Sequence, residues 1–188
     1  MKDGDYMDFK VEILKYPKEE DWMWCKTCTL NTIGKVATTL PSNEWKVKLL
    51  KSEHSPLREL WFGIKMTIPY YVSVHFVRHH IGVNHYVSTQ RDDRVFRDEE
   101  ITRADLPQDQ MVSHIMSVNV QELMFMARKR LCKQADKITR RVMQTIVQDT
   151  YKTNPELKEA NALVPNCVYR NGKCDEFFPC SKGGESNE

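Results

Sequence analysis

Glycine is scarce in this 188-residue chain: there are seven, and none falls into GxGxxG or GxxxxGK followed by Ser or Thr. A nucleotide would therefore have to be held by side chains and not by a glycine-rich phosphate loop. No apolar run approaches the roughly 18 residues that cross a bilayer. Residues 1–10 are acidic and polar with no apolar segment behind them, which argues against a secretory leader. No membrane contact is expected, and the chain reads as cytoplasmic, where thiols stay reduced. Charge of one sign is also lacking: 28 basic and 26 acidic residues leave a net charge of +2. The whole-molecule field selects no partner, nucleic acid is not expected, and any anion site must be local. No internal repeat is present, and no cysteine occurs between residues 29 and 131.

What remains is a chain that can bury a core, with 40% hydrophobic, 10% aromatic and 29% charged residues and a mean hydropathy of -0.59. The length fits one domain over residues 1–164 with a Cys-rich tail over 165–188. Nine Met and four Trp suit a subunit that completes its core against copies of itself.

Residues 9–16 alternate like a strand and stop at Pro17, and mixed apolar spacing suggests a helix over 20–40 ended by Pro41. Residues 46–50 are short and basic. Ser55-Pro56 marks a turn or helix start, and Leu60, Phe62, Ile64 and Met66 sit two apart as in a strand with one buried face. Pro69 opens a helix that places Val72, His75, Phe76 and His79 on one side. Residues 82–94 read as irregular and 92–110 as a charged surface loop. Residues 111–118 read as a strand, although helical continuation is open. Val120–Arg130 and 134–150 read as helices, the second with a stripe of Ala135, Ile138, Val142 and Ile146. Residues 181–188 read as disordered. The class is α+β.

Residues 75–91 hold four of the six histidines (His75, His79, His80 and His85) with Arg78, Ser88 and Arg91. Such a strip makes an anion cradle, because guanidinium binds phosphate bidentately and imidazole and hydroxyl add donors. A helix end with solvated Arg and His is the plainer alternative. His75 and His79 have i, i+4 spacing, but no Glu follows the first as in a zinc-binding helix. His79 and His80 point about 100° apart on a helix.

Arg78-His79-His80, seven further residues and then Ser88 resemble the signature of flavin-dependent thymidylate synthases, which carry Arg-His-Arg, seven residues and Ser. Residues 53–59 with the strand to Met66, and Val118-Asn119 followed by a helix ending at Arg130, resemble the family at compatible spacing over about residues 50–150. The resemblance implies a homotetramer of mixed subunits, with antiparallel strands and helices and active sites between subunits. It implies FAD held without a Rossmann domain. Arg78, His79 and His80 would lie near the FAD phosphates, Ser55 near the flavin from a neighbouring chain, and Asn119 near the flavin ring. Ser88 and Arg91 would hold the phosphate of dUMP, and His75 and Tyr86 would face the nucleotide. Arg130 would face the uracil carbonyl as the catalytic residue. The implied activity is a methyltransferase reaction of nucleotide biosynthesis: dUMP to dTMP with NADPH and methylenetetrahydrofolate, or a related carbon-5 modification of a pyrimidine nucleotide.

Negative charge building on a pyrimidine carbonyl is stabilised by a buried Arg, and the long cysteine-free stretch suits a flavin route over thiolate attack. Arg128, Lys129, Arg130 and Lys133 could equally be a solvated basic face. The chain departs from the family pattern at His80, His75 and Tyr86, and Arg91 stands one position later than the usual Arg. These positions face the nucleotide, so they bear on the pyrimidine accepted. A non-catalytic nucleotide- or nucleic-acid-binding protein on the same fold is the alternative, with Arg91, Arg94, Arg97 and Arg103 as its contacts. Asp92, Asp93, Asp98, Glu99 and Glu100 neutralise that loop.

Cysteines are the last feature. Cys132, Cys167, Cys174 and Cys180 could bind Zn²⁺ or an iron–sulfur cluster, although their spacing matches no standard zinc knuckle. Cys25-Lys-Thr-Cys28 offers a second pair, and separate buried thiols are the plain alternative.

Overall fold

The computed structural model describes residues 8–97 and 100–180. Strand β1 (Lys10–Lys15) is followed by helices α1 (Glu19–Asn31) and α2 (Asn43–Ser52) and a 3-10 turn at Ser55–Glu59. Then come β2 (Trp61–Pro69), α3 (Tyr70–Val77), β3 (Val83–Val87), β4 (Met111–Asn119), α4 (Val120–Arg130) and α5 (Lys137–Thr153). Two short helices, α6 (Pro155–Glu159) and α7 (Asn166–Tyr169), complete the order. The four strands form one antiparallel sheet in the order β1-β2-β4-β3, so the α+β class holds.

Period-two burial drives the central strands. Phe62, Ile64, Met66 and Ile68 of β2 and Val112, His114, Met116 and Val118 of β4 are all buried. Each large apolar side chain of that row contributes about 1.5–3 kcal/mol. Helix α5 turns Val142, Met143, Ile146 and Val147 into this core. Its N-cap Asp136 accepts from the Thr139 N–H at 2.8 Å. Ala135 therefore lies outside the helix, which begins three residues later than the expected start at 134.

Two local expectations are corrected, and the stretch 46–50, left without an element, falls into a helix. The helix over 20–40 stops at Asn31, where the Lys35 N–H closes on Leu30 O at 3.0 Å. Ile33, Val36 and Leu40 beyond it are exposed and bury nothing. The basic stretch 46–50 lies inside α2, whose Ser42 cap accepts from the Trp45 N–H. Lys46 is buried there against Glu19 at 2.5 Å. The irregular stretch after Gly82 contains β3, hidden from a periodicity reading because a histidine fills one of its inward positions. Among the described residues no helix is long and apolar enough to cross a membrane. The disorder expected over 181–188 lies outside the described residues.

Candidate functional site

Helix α3 ends at Val77, and the chain must then turn back into β3 at the edge of the sheet. Gly82 makes that return with φ +72°, and its carbonyl accepts from the Asn119 N–H at 2.9 Å. A Cβ at Gly82 would stand 2.5 Å from Asn119 Nδ2, so only glycine permits the approach. Asn119 in turn caps α4, its Oδ1 accepting from the Glu122 N–H at 2.9 Å. Residues 78–82 are thereby laid against α4.

The result is that His79 is buried, with its ring spanning two turns of α4. Its Nδ1 lies 2.7 Å from Glu122 Oε1, and its Nε2 receives the Arg130 Nε–H at 3.1 Å. Phe125 meets the ring edge-on with centroids 5.8 Å apart. The guanidinium can only donate, so Nε2 is bare and the proton sits on Nδ1, directed at the carboxylate. His79 is a neutral bridge between Glu122 and Arg130.

A second chain of bonds runs inward. His85 Nε2 is 2.7 Å from the His79 carbonyl, His85 Nδ1 is 2.9 Å from His114 Nε2, and His114 Nδ1 is 3.1 Å from Ser73 Oγ. A carbonyl can only accept, so His85 donates from Nε2 and accepts at Nδ1. His114 then donates from Nε2 and accepts from the Ser73 hydroxyl. Burial, then the neighbouring His85, lowers the His114 pKa to about 4. Burial likewise pulls His85 down. Both rings are thus neutral near pH 7, as the bonding requires.

Arg130 is half-buried, and its pKa is lowered by burial and then by the nearby Arg78. Burial and then Arg130 also lower the pKa of His75, against an opposing pull from Asp136. Arg78, His75 and Arg130 therefore share one cationic locality, and among the described residues no carboxylate pairs with Arg78. His80 stands exposed beside it, its Nδ1 3.1 Å from the Arg78 carbonyl. A cleft of about 390 Å³ opens along α4, walled by Arg58, Ile81, Gly82, Asn119, Glu122 and Phe125, and Arg78, His75, His80 and Arg130 are not among its lining residues.

The structure thus brings together Arg78, His79, Arg130 and His75 from the sequence reading. His79, expected at a cofactor phosphate, has both ring nitrogens bonded inside the subunit, to Glu122 and Arg130. Asn119 borders the cleft, but its side-chain oxygen is committed to capping α4. Ser55 is exposed and does not line the cleft. Ser88 lies just past β3 with its hydroxyl accepting from the Ser113 N–H at 3.1 Å, and Tyr86 is exposed on that edge strand. Arg91 is held by Asp93 through two bonds of 2.9 and 2.7 Å. Glu122, Ser73 and His114 were not singled out by the sequence reading. An Asn three residues before a Glu at a helix start was the available signal for Glu122.

Cys132, Cys167, Cys174 and Cys180 line one hollow of about 180 Å³. Among the described residues no three His, Cys, Asp or Glu side chains are gathered closely enough to hold a metal ion, so no preformed centre is present. Cys25 is a different case: it is buried, faces the Pro56 carbonyl at 3.3 Å, and burial pushes its thiol up to about 12.

No family model and no curated protein matches the sequence. Among solved structures the chain is similar to a UMP/dUMP methylase, PolB from Streptomyces cacaoi, whose crystal structure is bound with 5-Br dUMP. The TM-score is 0.66 at 14% identity, over 85% of this chain and 97% of that one. The likeness is one of fold: the four-stranded antiparallel sheet and its helices form a UMP/dUMP methylase-like α+β arrangement.

Proposed function

We propose that this chain modifies carbon 5 of a pyrimidine nucleotide, with FAD-dependent methylation of dUMP, using methylenetetrahydrofolate and NADPH, as the specific reaction. The observation that carries the reading is the gathering of Arg130, Arg78 and His75 where α3 and α4 end, on a fold shared with a UMP/dUMP methylase.

The residues fit a flavin dinucleotide at its phosphate end. Arg78 lacks a carboxylate partner among the described residues, and His80 lies exposed at the same helix end, so the two would hold a diphosphate. The chemistry a flavin supplies when bound is hydride transfer. This chain's own contribution is electrostatic. His79 and Glu122 hold Arg130 by Nε, which leaves its Nη edge to stabilise charge developing on a pyrimidine carbonyl. His79 serves that reading as a positioning residue.

Ser88 and Arg91 are bonded to Ser113 and Asp93, and Tyr86 is exposed on the edge strand. In the proposed homotetramer they would meet a nucleotide bound against a neighbouring subunit. Exposed Val74, Val77, Ile81 and Phe125 beside the site offer an apolar face for that neighbour. The nucleic-acid alternative is weakened by the loop after β3, where Arg91 pairs with Asp93 and Arg97 with Asp92.

The test is the absorbance spectrum of purified protein with and without added FAD, followed by dUMP turnover with NADPH and methylenetetrahydrofolate. Flavin bands that Arg78→Ala abolishes, with the fold intact, are expected. A protein that takes up no FAD but binds dUMP would move the non-catalytic reading to the front.

A further inference from the structure

We propose that Cys132, Cys167, Cys174 and Cys180 form a binding site for one Zn²⁺ ion, which draws the hollow they line into a tetrahedral four-thiolate centre and fastens the tail to the end of α4. These are four of the chain's six cysteines, and they come from the α4–α5 connection, α7 and the segment beyond it to meet at one hollow of about 180 Å³.

The local chain geometry brings them there. The chain reverses at Asn171 and Gly172, both left-handed at φ +56° and +92°, and the Gly172 N–H donates to the Cys167 carbonyl at 2.8 Å. That turn carries Cys174 back toward Cys167. Arg128 stacks 3.6 Å over the Tyr169 ring and fixes the start of this hairpin-like segment against α4.

Beyond the turn the segment is held by polar contacts, Gln134 Nε2 donating to the Phe178 carbonyl and Lys129 facing Glu176, and not by an apolar core. Residues 173–180 form no helix or strand, and Phe177 and Phe178 are 94% and 77% exposed. A chain without a core of its own commonly gains its folding energy from a structural metal. The two carboxylates at the hollow are already engaged, Asp175 by Arg170 and Glu176 by Lys129 at 3.8 Å, which leaves the thiols as donors. All four are free and partly buried, unlike the fully buried Cys25.

On binding, four Zn–S bonds form and the thiol protons pass to solvent. The centre is then net negative, and Lys133 on the same wall offsets it. Zn–S bonds are about 2.3 Å, and among the described residues the thiols are not gathered at ligand distance, so binding must draw the 174–180 segment inward.

The test uses the full-length reduced chain, stripped with chelator and titrated with Zn²⁺ alone. Metal content is measured, and each cysteine's alkylation rate is read by peptide mass spectrometry. One Zn²⁺ per chain is expected, with alkylation of Cys132, Cys167, Cys174 and Cys180 slowed together at least tenfold (~10-fold being about 1.4 kcal/mol of protection) and Cys28 unchanged. No stoichiometric uptake, or uptake that protects Cys25 and Cys28 instead, overturns the site. A brown protein carrying iron and sulfide also overturns it. The double variant Cys174→Ser, Cys180→Ser should lose uptake while Cys28→Ser keeps it. None of these readouts depends on flavin or turnover, so the zinc site stands or falls apart from the proposed activity.

Discussion

Arg130 donates from Nε to Nε2 of His79 at 3.1 Å, and that single contact fixes the imidazole as neutral with its proton on Nδ1, facing Glu122. A cation, a ring and a carboxylate are thereby locked in one order across two turns of α4. The guanidinium is oriented before any ligand arrives, which is what electrostatic stabilisation of a developing charge requires.

Replacing Arg130 by Lys tests that orientation. Lysine keeps the charge but has no Nε to bond His79 and no planar fork. Flavin occupancy is expected to stay and turnover to fall by roughly 10²–10³-fold. Turnover equal to that of the unmodified protein removes Arg130 from the chemistry.

Glu122 separates the role of the acceptor from the role of the charge. Glu122→Gln retains an oxygen for the His79 Nδ1–H and should cost about 1 kcal/mol of unfolding free energy. Glu122→Ala strands that donor in a buried place and should cost about 2–3 kcal/mol. Urea denaturation of the two variants measures the difference, and equal losses would show that the bond to His79 does not matter.

The pair His85 and His114 predicts an acid limb in stability. The folded His114 pKa of about 4 lies below the ordinary 6.5, so between those values the unfolded chain binds a proton that the folded chain refuses. The stabilisation is present above about pH 6.5 and is lost as pH falls toward 4, on the order of 3 kcal/mol. Denaturation midpoints at pH 7 and pH 4.5 should show this loss, and His114→Asn should reduce the slope between them. An unchanged slope in that variant would assign the acid limb to other groups.

Gly82 and Gly34 make a matched pair for the approach of residues 78–82 to α4. Both are left-handed, at φ +72° and +68°, but an added Cβ meets Asn119 at Gly82 and open space at Gly34. Gly34→Ala should cost about 1 kcal/mol from backbone strain alone. Gly82→Ala should cost more than about 2 kcal/mol and displace His79, because it adds a steric clash at the cap of α4. Similar losses in thermal melts would mean that the Asn119 contact gives way without consequence.

Several features were legible from residue order because they are local. Alternation of Phe62, Ile64, Met66 and Ile68 dictates a strand with one buried face, and Ile138, Val142 and Ile146 mark the helical stripe of α5. The crowding of His and Arg over 75–91 marked an anion-binding locality, and clustering singled out the four cysteines that share one hollow.

Side-chain direction was not legible in the same way. Arg78-His79-His80 reads as three equivalent donors, yet the Gly82–Asn119 approach turns His79 into the core and leaves its two neighbours outside. Residues 79 and 122 are 43 positions apart, and His114 meets His85 only because β3 pairs antiparallel with β4. Period and composition are properties of neighbours along the chain, and they determined the elements and the chemical character of the locality. Which donor faces a ligand, and which is spent holding another side chain, depends on contacts between distant segments, and only the packing of the β4–α4 junction against residues 78–85 decided it.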